Sequence, residues 1–289
     1  MDIYGVMGDP VEHSLSPPMH EAAYESTGTE ATYLRFRVEE GNVKEAVKGA
    51  GALNLDGLNV TVPHKGTVAS LPSVELDGIA ESIGAVNTLD FGVEGDGGGD
   101  GEGTEKQDDG ADTVARGYNT DASGALRALE RKTEVAGKEV AVVGAGGAAR
   151  AIAFAVVGEG ATVEIVNRTP ERAEKLADEV REVGDASAHP LDALEDVVPD
   201  ADIVVNATTV GMEEDVSPVP ADALRPHHVV LDAVYTPLKT RLLRDAEDAG
   251  ATTVDGAWML VYQGAEAFEI WTGHNAPVEK MNSALRDNL

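Results

Sequence analysis

The chain contains no cysteine among its 289 residues, so disulfides, thiolate metal ligands and cysteine nucleophiles are excluded. Basic residues are scarce, 22 Lys and Arg against 52 Asp and Glu, which leaves a formal charge of −30. A field of that sign repels nucleic acid and anionic membrane surfaces, so neither is expected as a partner. No apolar run reaches the roughly 18 residues a membrane-spanning helix needs, and Met1-Asp2-Ile3-Tyr4-Gly5 offers no basic region ahead of an apolar one. The expectation is a soluble, cytoplasmic protein. The seven histidines show no metal-ligand spacing, so no metal site is expected. Chemistry is left to hydroxyls, amides, carboxylates and a few lysines and arginines.

What is present points to a salt-adapted α/β enzyme. Apolar residues make up 42% of the chain, enough for two medium cores at this length. The acids are spread among regular apolar patterns instead of forming a tail. Self-repulsion of that size is costly in dilute buffer, but molar salt shrinks the Debye length to about 3 Å and removes most of it. Halophilic adaptation, with unfolding in low salt, is therefore expected.

Apolar runs and helical patterns alternate in the N-terminal third: strands at 3–7, 33–38 and 57–62, helices at 18–27 and 43–49. Residues 92–112 are almost entirely Gly and Asp/Glu and read as a solvated insertion between two strands. A helix at 122–131 leads into a second alternation, with strands at 139–143, 162–166, 203–206 and 229–232 and helices at 148–157 and 170–183, the last capped by Thr169. The stretch 258–289 reads as helical and able to return to the first domain. The predicted fold is a Rossmann-type doubly wound parallel sheet domain over 121–256, plus an N-terminal α/β substrate domain formed by 1–120 with a helical return at 257–289.

Strand 139–143 runs into Gly144-Ala145-Gly146-Gly147-Ala148-Ala149, a G-x-G-x-x-A turn between strand and helix. Gly144 suits the tight turn, Gly146 lets backbone approach a pyrophosphate, and Ala149 allows close helix packing. At the end of the next strand, where an NAD site places a carboxylate, stand Asn167-Arg168-Thr169, with Arg172 one turn later. Two forked guanidinium groups there suit a 2′-phosphate, so NADP is the expected cofactor.

Four polar clusters complete the reading: Ser14-Leu15-Ser16-Pro17, Asn59-Val60-Thr61-Val62-Pro63-His64-Lys65, Gly84-Ala85-Val86-Asn87-Thr88, and Tyr118-Asn119-Thr120-Asp121. Ser14 and Ser16 can donate to a carboxylate, although Ser16 before Pro17 would also cap a helix. Lys65 can protonate a developing alkoxide while Asp121 holds the ammonium and a neighbouring hydroxyl. By composition alone the plainer readings prevail, Lys65 as a surface charge and Asp121 as a helix cap.

In order and spacing these clusters, with the glycine turn, Asn167-Arg168-Thr169 and residues 256–263, resemble the shikimate dehydrogenase family over nearly the whole chain. The resemblance implies reversible, NADPH-dependent reduction of 3-dehydroshikimate to shikimate in chorismate and aromatic amino acid biosynthesis. It implies that Ser14, Ser16 and Tyr235 hold the substrate carboxylate and that Thr61, Asn87, Asp121 and Gln263 bind its hydroxyls. Lys65 would be the acid/base group. Gly144, Ala145, Gly146, Gly147 and Ala148 would cradle the pyrophosphate; Asn167, Arg168, Thr169 and Arg172 would take the adenosine phosphate; Ala233 and Gly256 would lie near the nicotinamide, with Asn206-Ala207-Thr208 bordering the cofactor. Trp258 stands where many members carry glycine. An NAD-linked quinate/shikimate dehydrogenase and a non-catalytic hydroxy-acid sensor on the same scaffold remain open, and so does assembly as a monomer or a homodimer.

Overall fold

The computed structural model describes residues 1–92 and 113–289. All but the first residue of the acidic insertion expected at 92–112 lie outside the described residues. The chain forms two compact units: Met1–Asn119 with Ala267–Pro277, and Thr120–Glu266 with Val278–Leu289.

The first unit is built on β1 (Asp2–Gly8), β2 (Ala31–Arg37), β3 (Gly57–Val60), β4 (Val74–Leu76), β5 (Thr88–Asp90) and β6 (Ala115–Tyr118), in sheet order β2-β1-β3-β5-β6-β4. β1 runs parallel to β2 and β3, while β5 is antiparallel to both β3 and β6. β3 stops two residues before the expected end, ahead of Pro63, which has no N–H for a ladder. Met7, Val47, Leu58, Val68 and Leu89 fill one core of this unit. The Trp271 ring occupies the space a side chain at Gly57 would need and donates its Nε1–H to the Leu89 carbonyl at 2.9 Å.

The second unit carries β7 (Glu139–Val143), β8 (Thr162–Asn167), β9 (Ala186–Pro190), β10 (Ile203–Asn206), β11 (Val229–Asp232) and β12 (Thr252–Val254), all parallel, in the order β12-β11-β10-β7-β8-β9. This is the doubly wound order in which the chain reverses direction between β7 and β10, and ligands of such sheets bind at the strand ends of that reversal. Alternate residues explain the two helical layers. Val140, Val142, Ile203 and Val205 join a core with Leu129, Ile152 and Met259, whereas Ala141, Val143 and Val204 join one with Leu194, Val198 and Leu242. Among the described residues no helix is long and apolar enough to cross a membrane.

Two local expectations need correction. Ser16 does not cap the helix Ser16–Thr27; it is the first helical residue, and the Ser14 Oγ accepts from its N–H at 3.3 Å. Thr169 occupies the cap position of the helix Pro170–Val180, but its hydroxyl accepts nothing from the helix, and its carbonyl instead receives the Asn167 Nδ2 at 2.9 Å. The C-terminal return is two helices, Gly256–Thr272 and Val278–Arg286, broken where Gly273 takes φ 66 and Pro277 follows. The return, expected to lie whole with the first domain, is divided between the units. Gly124 lets the helix Thr120–Glu130 approach so closely that a Cβ there would lie 2.8 Å from the Gln263 amide nitrogen, which keeps the early turns of Gly256–Thr272 in the second unit.

Candidate functional site

The expected site residues fall into two groups, one on each unit. On the first unit, Ser14 and Ser16 follow β1, Thr61 follows β3, Lys65 opens the helix Lys65–Ala69, and Asn87 immediately precedes β5. Main-chain hydrogen bonds tie these segments together: Thr61 N–H to the Met7 carbonyl at 2.9 Å, Asp9 N–H to Val62 at 3.2 Å, Val60 N–H to Asn87 at 2.8 Å, and Val86 N–H to Lys65 at 3.0 Å. A side chain at Gly8 would run into the Thr61 methyl, so the ends of β1 and β3 meet only because residue 8 lacks one. His64 is fully buried, and its Nε2 lies 2.6 Å from the Val38 carbonyl, an acceptor only; this nitrogen therefore donates, and the ring anchors the turn that presents Lys65.

On the second unit the glycine turn stands at the end of β7. Gly144 adopts φ 122, and a Cβ there would lie 3.0 Å from the Ala207 carbonyl, so glycine is required for the turn itself. Gly146 and Gly147 differ: nothing lies within 4 Å of where their Cβ atoms would be. The helix Gly147–Gly158 that follows has no side-chain cap and no acid in its first turn. Its leading N–H groups are thus available to an anion. Ala149 is fully buried in the core between helix and sheet.

Two clefts adjoin this turn. One of about 310 Å³ is lined by Gly146, Gly147, Arg150, Arg172, Lys175 and Glu179 among others, and one of about 430 Å³ by Gly144, Asn167, Arg168, Leu191, Thr208 and Pro218 among others. Arg168 and Arg172 are exposed and pair with no carboxylate of the described residues. Every other described arginine is engaged, Arg150 with Glu179 and Arg286 with Asp255 for example. In so acidic a chain, two unpaired guanidinium groups at the end of β8 and the start of the next helix are cations without an internal anion. Open glycines, an uncapped helix start and two unpaired arginines fit a phosphorylated dinucleotide.

The loops after β10 and β11 are fixed by one buried network. Asn206 donates Nδ2–H to Asp232 Oδ1 at 2.8 Å and accepts from the Thr208 N–H and hydroxyl at 3.0 and 2.7 Å; Asp232 also accepts from the Val234 N–H at 3.0 Å and the Thr240 hydroxyl at 2.6 Å. Burial pushes the Asp232 carboxyl above its ordinary range, and the hydrogen bonds from Thr240, Val234 and Asn206 pull it back. This network sets the course of the chain through Ala233 and Tyr235. A Cβ on Gly256 would lie 2.6 Å from the Val234 carbonyl and 2.7 Å from that of Ala233, so Gly256 packs directly on the chain at Ala233. Asp121 sits in the first turn of the helix Thr120–Glu130, one turn before Gly124 and its contact with Gln263. The Gln263 Nε2 donates to the Leu260 carbonyl at 2.9 Å.

The structure adds residues that sequence reading passed over: Thr240 in the Asp232 network, Arg150 and Lys175 beside Gly146, and Tyr33, whose hydroxyl donates to Asn59 Oδ1 at 2.6 Å. Arg150 alone carried a signal, a cation in the first turn after the glycine motif.

Comparison with known proteins supplies the rest. Residues 6–89 match the model of the shikimate dehydrogenase substrate binding domain, 127–214 that of shikimate / quinate 5-dehydrogenase, and 256–286 that of the shikimate 5'-dehydrogenase C-terminal domain. The chain is 54% identical over 289 residues, the full length of both proteins, to the shikimate dehydrogenase (NADP(+)) of Haloarcula marismortui. Among solved structures it resembles shikimate 5-dehydrogenase of Thermus thermophilus in complex with NADP(H) and shikimate, at 36% identity with 100% of both chains covered and a TM-score of 0.84. It also resembles that of Listeria monocytogenes in complex with shikimate and NAD, at 35% identity, 99% and 96% coverage and a TM-score of 0.87.

Proposed function

The chain belongs to the shikimate dehydrogenase family, and from that premise we propose that it catalyses the reversible, NADPH-dependent reduction of 3-dehydroshikimate to shikimate. The observation that carries the reading is full-length identity of 54% to a relative whose name states that activity. The geometry contributes the choice of nucleotide: Arg168 and Arg172, unpaired at the open glycine turn, supply forked donors for a 2′-phosphate, and no carboxylate stands at the end of β8 to take a ribose hydroxyl.

In this reading the unit centred on the N-terminal sheet supplies Ser14, Ser16, Thr61, Lys65 and Asn87 for the hydroxy acid, and the parallel-sheet unit binds NADP and carries Asp121, Tyr235 and Gln263. When bound, the reduced nicotinamide supplies the hydride that reduces the ring carbonyl. Lys65 gives a proton to the oxygen as it becomes an alkoxide, and takes it back in the reverse direction. Ser14, Ser16 and Tyr235 hold the carboxylate, while Thr61, Asn87, Asp121 and Gln263 bind the ring hydroxyls and so fix which carbon presents its carbonyl. Gly144 to Ala148 receive the pyrophosphate, Asn167 to Thr169 with Arg172 the adenosine phosphate, and Ala233 and Gly256 border the nicotinamide. The product feeds chorismate and aromatic amino acid synthesis, in the salt-rich cytoplasm that the −30 charge suits.

The test is spectrophotometric, in molar salt: NADPH and NADH consumption with 3-dehydroshikimate, then NADP(+) and NAD(+) reduction with shikimate and with quinate. Turnover of the shikimate pair with the phosphorylated cofactor is expected. Lys65→Ala should lower turnover by about a hundredfold or more while leaving the KM for shikimate within a few-fold. Preference for quinate and NAD(+) would replace the reading, and binding without turnover would point to a sensor.

A further inference from the structure

The helix Pro170–Val180 turns one face to the glycine turn. Arg172, Lys175, Leu176 and Glu179, at spacings of three, four and seven from the first, share that face and line the cleft of about 310 Å³ together with Gly146, Gly147 and Arg150. Leu176 is 4% exposed and packs into the core that holds Ile152 and Val156, which fixes the rotation of the helix and with it the side on which Arg172 and Lys175 stand. Side chains of a helix lean toward its N-terminus, so the Lys175 stem sets out toward Arg172 and the end of β8.

Carboxylates surround Lys175 at the spacings that helical ion pairs use: Glu171 four residues before it, Asp178 three and Glu179 four residues after it. Lys175 is exposed and, among the described residues, pairs with none of them. Asp178 is taken by Arg181, and Glu179 by Arg150. Glu179 is the one acid on the cleft wall, so its pairing with Arg150 cancels the charge there that would repel an anion. Arg172 and Lys175 are left as cations without an internal partner. In molar salt the Debye length is about 3 Å, so a cation acts on a phosphate at contact or hardly at all. Place on the cleft wall, more than the net field of the chain, then decides which cations count.

We propose that Lys175 is a third cation for the 2′-phosphate of NADP, joining Arg168 and Arg172, and that it helps set the preference for the phosphorylated dinucleotide. The inference rests on the reading of the cofactor as NADP. The helix that follows the second strand of such a sheet is the one that faces the adenosine ribose, and Lys175 shares its face with Arg172. The three cations divide the work by their chemistry. Each guanidinium offers a rigid fork to a pair of phosphate oxygens, whereas the ammonium is a compact charge with three donors on a flexible stem and can follow the oxygen the forks leave open.

The test is calorimetric titration of NADP(+) and NAD(+) in molar salt, which needs no turnover. Lys175→Met is expected to weaken NADP(+) about tenfold and NAD(+) by less than about twofold, because only the former carries the 2′-phosphate. Lys175→Arg keeps a cation in place and should hold NADP(+) within about threefold of wild type. Unchanged NADP(+) affinity in Lys175→Met, or equal weakening of both dinucleotides, would overturn the proposal. Wild-type protein that binds NAD(+) as tightly as NADP(+) would strike the NADP reading and the proposal with it. A wild-type preference for NADP(+) that Lys175→Met retains in full would strike the proposal alone.

Discussion

A methyl group added at Gly256 would lie 2.6 Å from the Val234 carbonyl oxygen, whereas one added at Gly146 would meet nothing within 4 Å. The two glycines therefore answer to different selective reasons, internal packing for one and the approach of a ligand for the other. Gly256→Ala is expected to cost about 2 kcal/mol of stability, because backbone carbonyls must move to admit it. Gly146→Val should leave urea unfolding in molar salt within about 0.5 kcal/mol of wild type yet weaken NADP(+) binding, read by fluorescence titration, at least about tenfold. Equal loss of stability in both variants would remove Gly146 from the cofactor site. At this scale the glycine turn was legible because its residues are contiguous. The buried hydrogen bonds from Tyr33 to Asn59 and from Asn59 to Thr88 were not, since they join positions 26 and 29 residues apart that carry no local pattern.

Elements divide in the same way. β7, β10 and β11 fall where apolar periodicity places them, because each is β-branched and buried on both faces. β9 (Ala186–Pro190) escaped the reading: Ala-Ser-Ala-His-Pro has no β-branched residue, and it serves as an edge strand where proline is tolerated. Trp258, doubtful from sequence, locks three helices of the second unit. Arg131 lies over its ring at 3.5 Å and donates to the Tyr262 hydroxyl at 3.1 Å; Arg286 approaches the ring at 5.5 Å while forking onto Asp255 at 2.9 and 3.0 Å; Arg127 covers Tyr262 at 4.9 Å. Ring-to-guanidinium contact excludes the ions that would screen an exposed pair. Trp258→Ala is accordingly expected to cost about 2 kcal/mol, and by about the same amount at roughly 1 M as at roughly 3 M KCl. A loss that fades as salt rises would assign the stack to ordinary surface electrostatics.

Across the whole molecule, charge of one sign prevails. Fifty-two acids and 22 bases give −30, and the described ion pairs consume much of the basic complement without neutralising the surface. Glu139 illustrates the local result: burial first, then Glu164, Asp200 and Asp202, raise its carboxyl above the ordinary range. A carboxyl whose folded value is raised binds its proton more tightly in the folded state. It opposes folding above its unfolded value, and that opposition is relieved as pH falls through the folded value. Asp202 has the opposite sign; Lys138 at 2.9 Å lowers it despite partial burial, so it supports folding above its unfolded value and that support is lost in acid. If repulsion outweighs such pairs, two outcomes follow in unfolding followed by circular dichroism. Lowering KCl from about 2 M to about 0.1 M at pH 7 should unfold the chain, as the Debye length grows from under about 3 Å to about 10 Å. At the lower salt, acidifying from pH 7 to pH 5 should restore part of the folded signal, because protonation then removes net repulsion. Unfolding that deepens on acidification would mean that paired carboxylates such as Asp202 control the balance and that the salt requirement has another source.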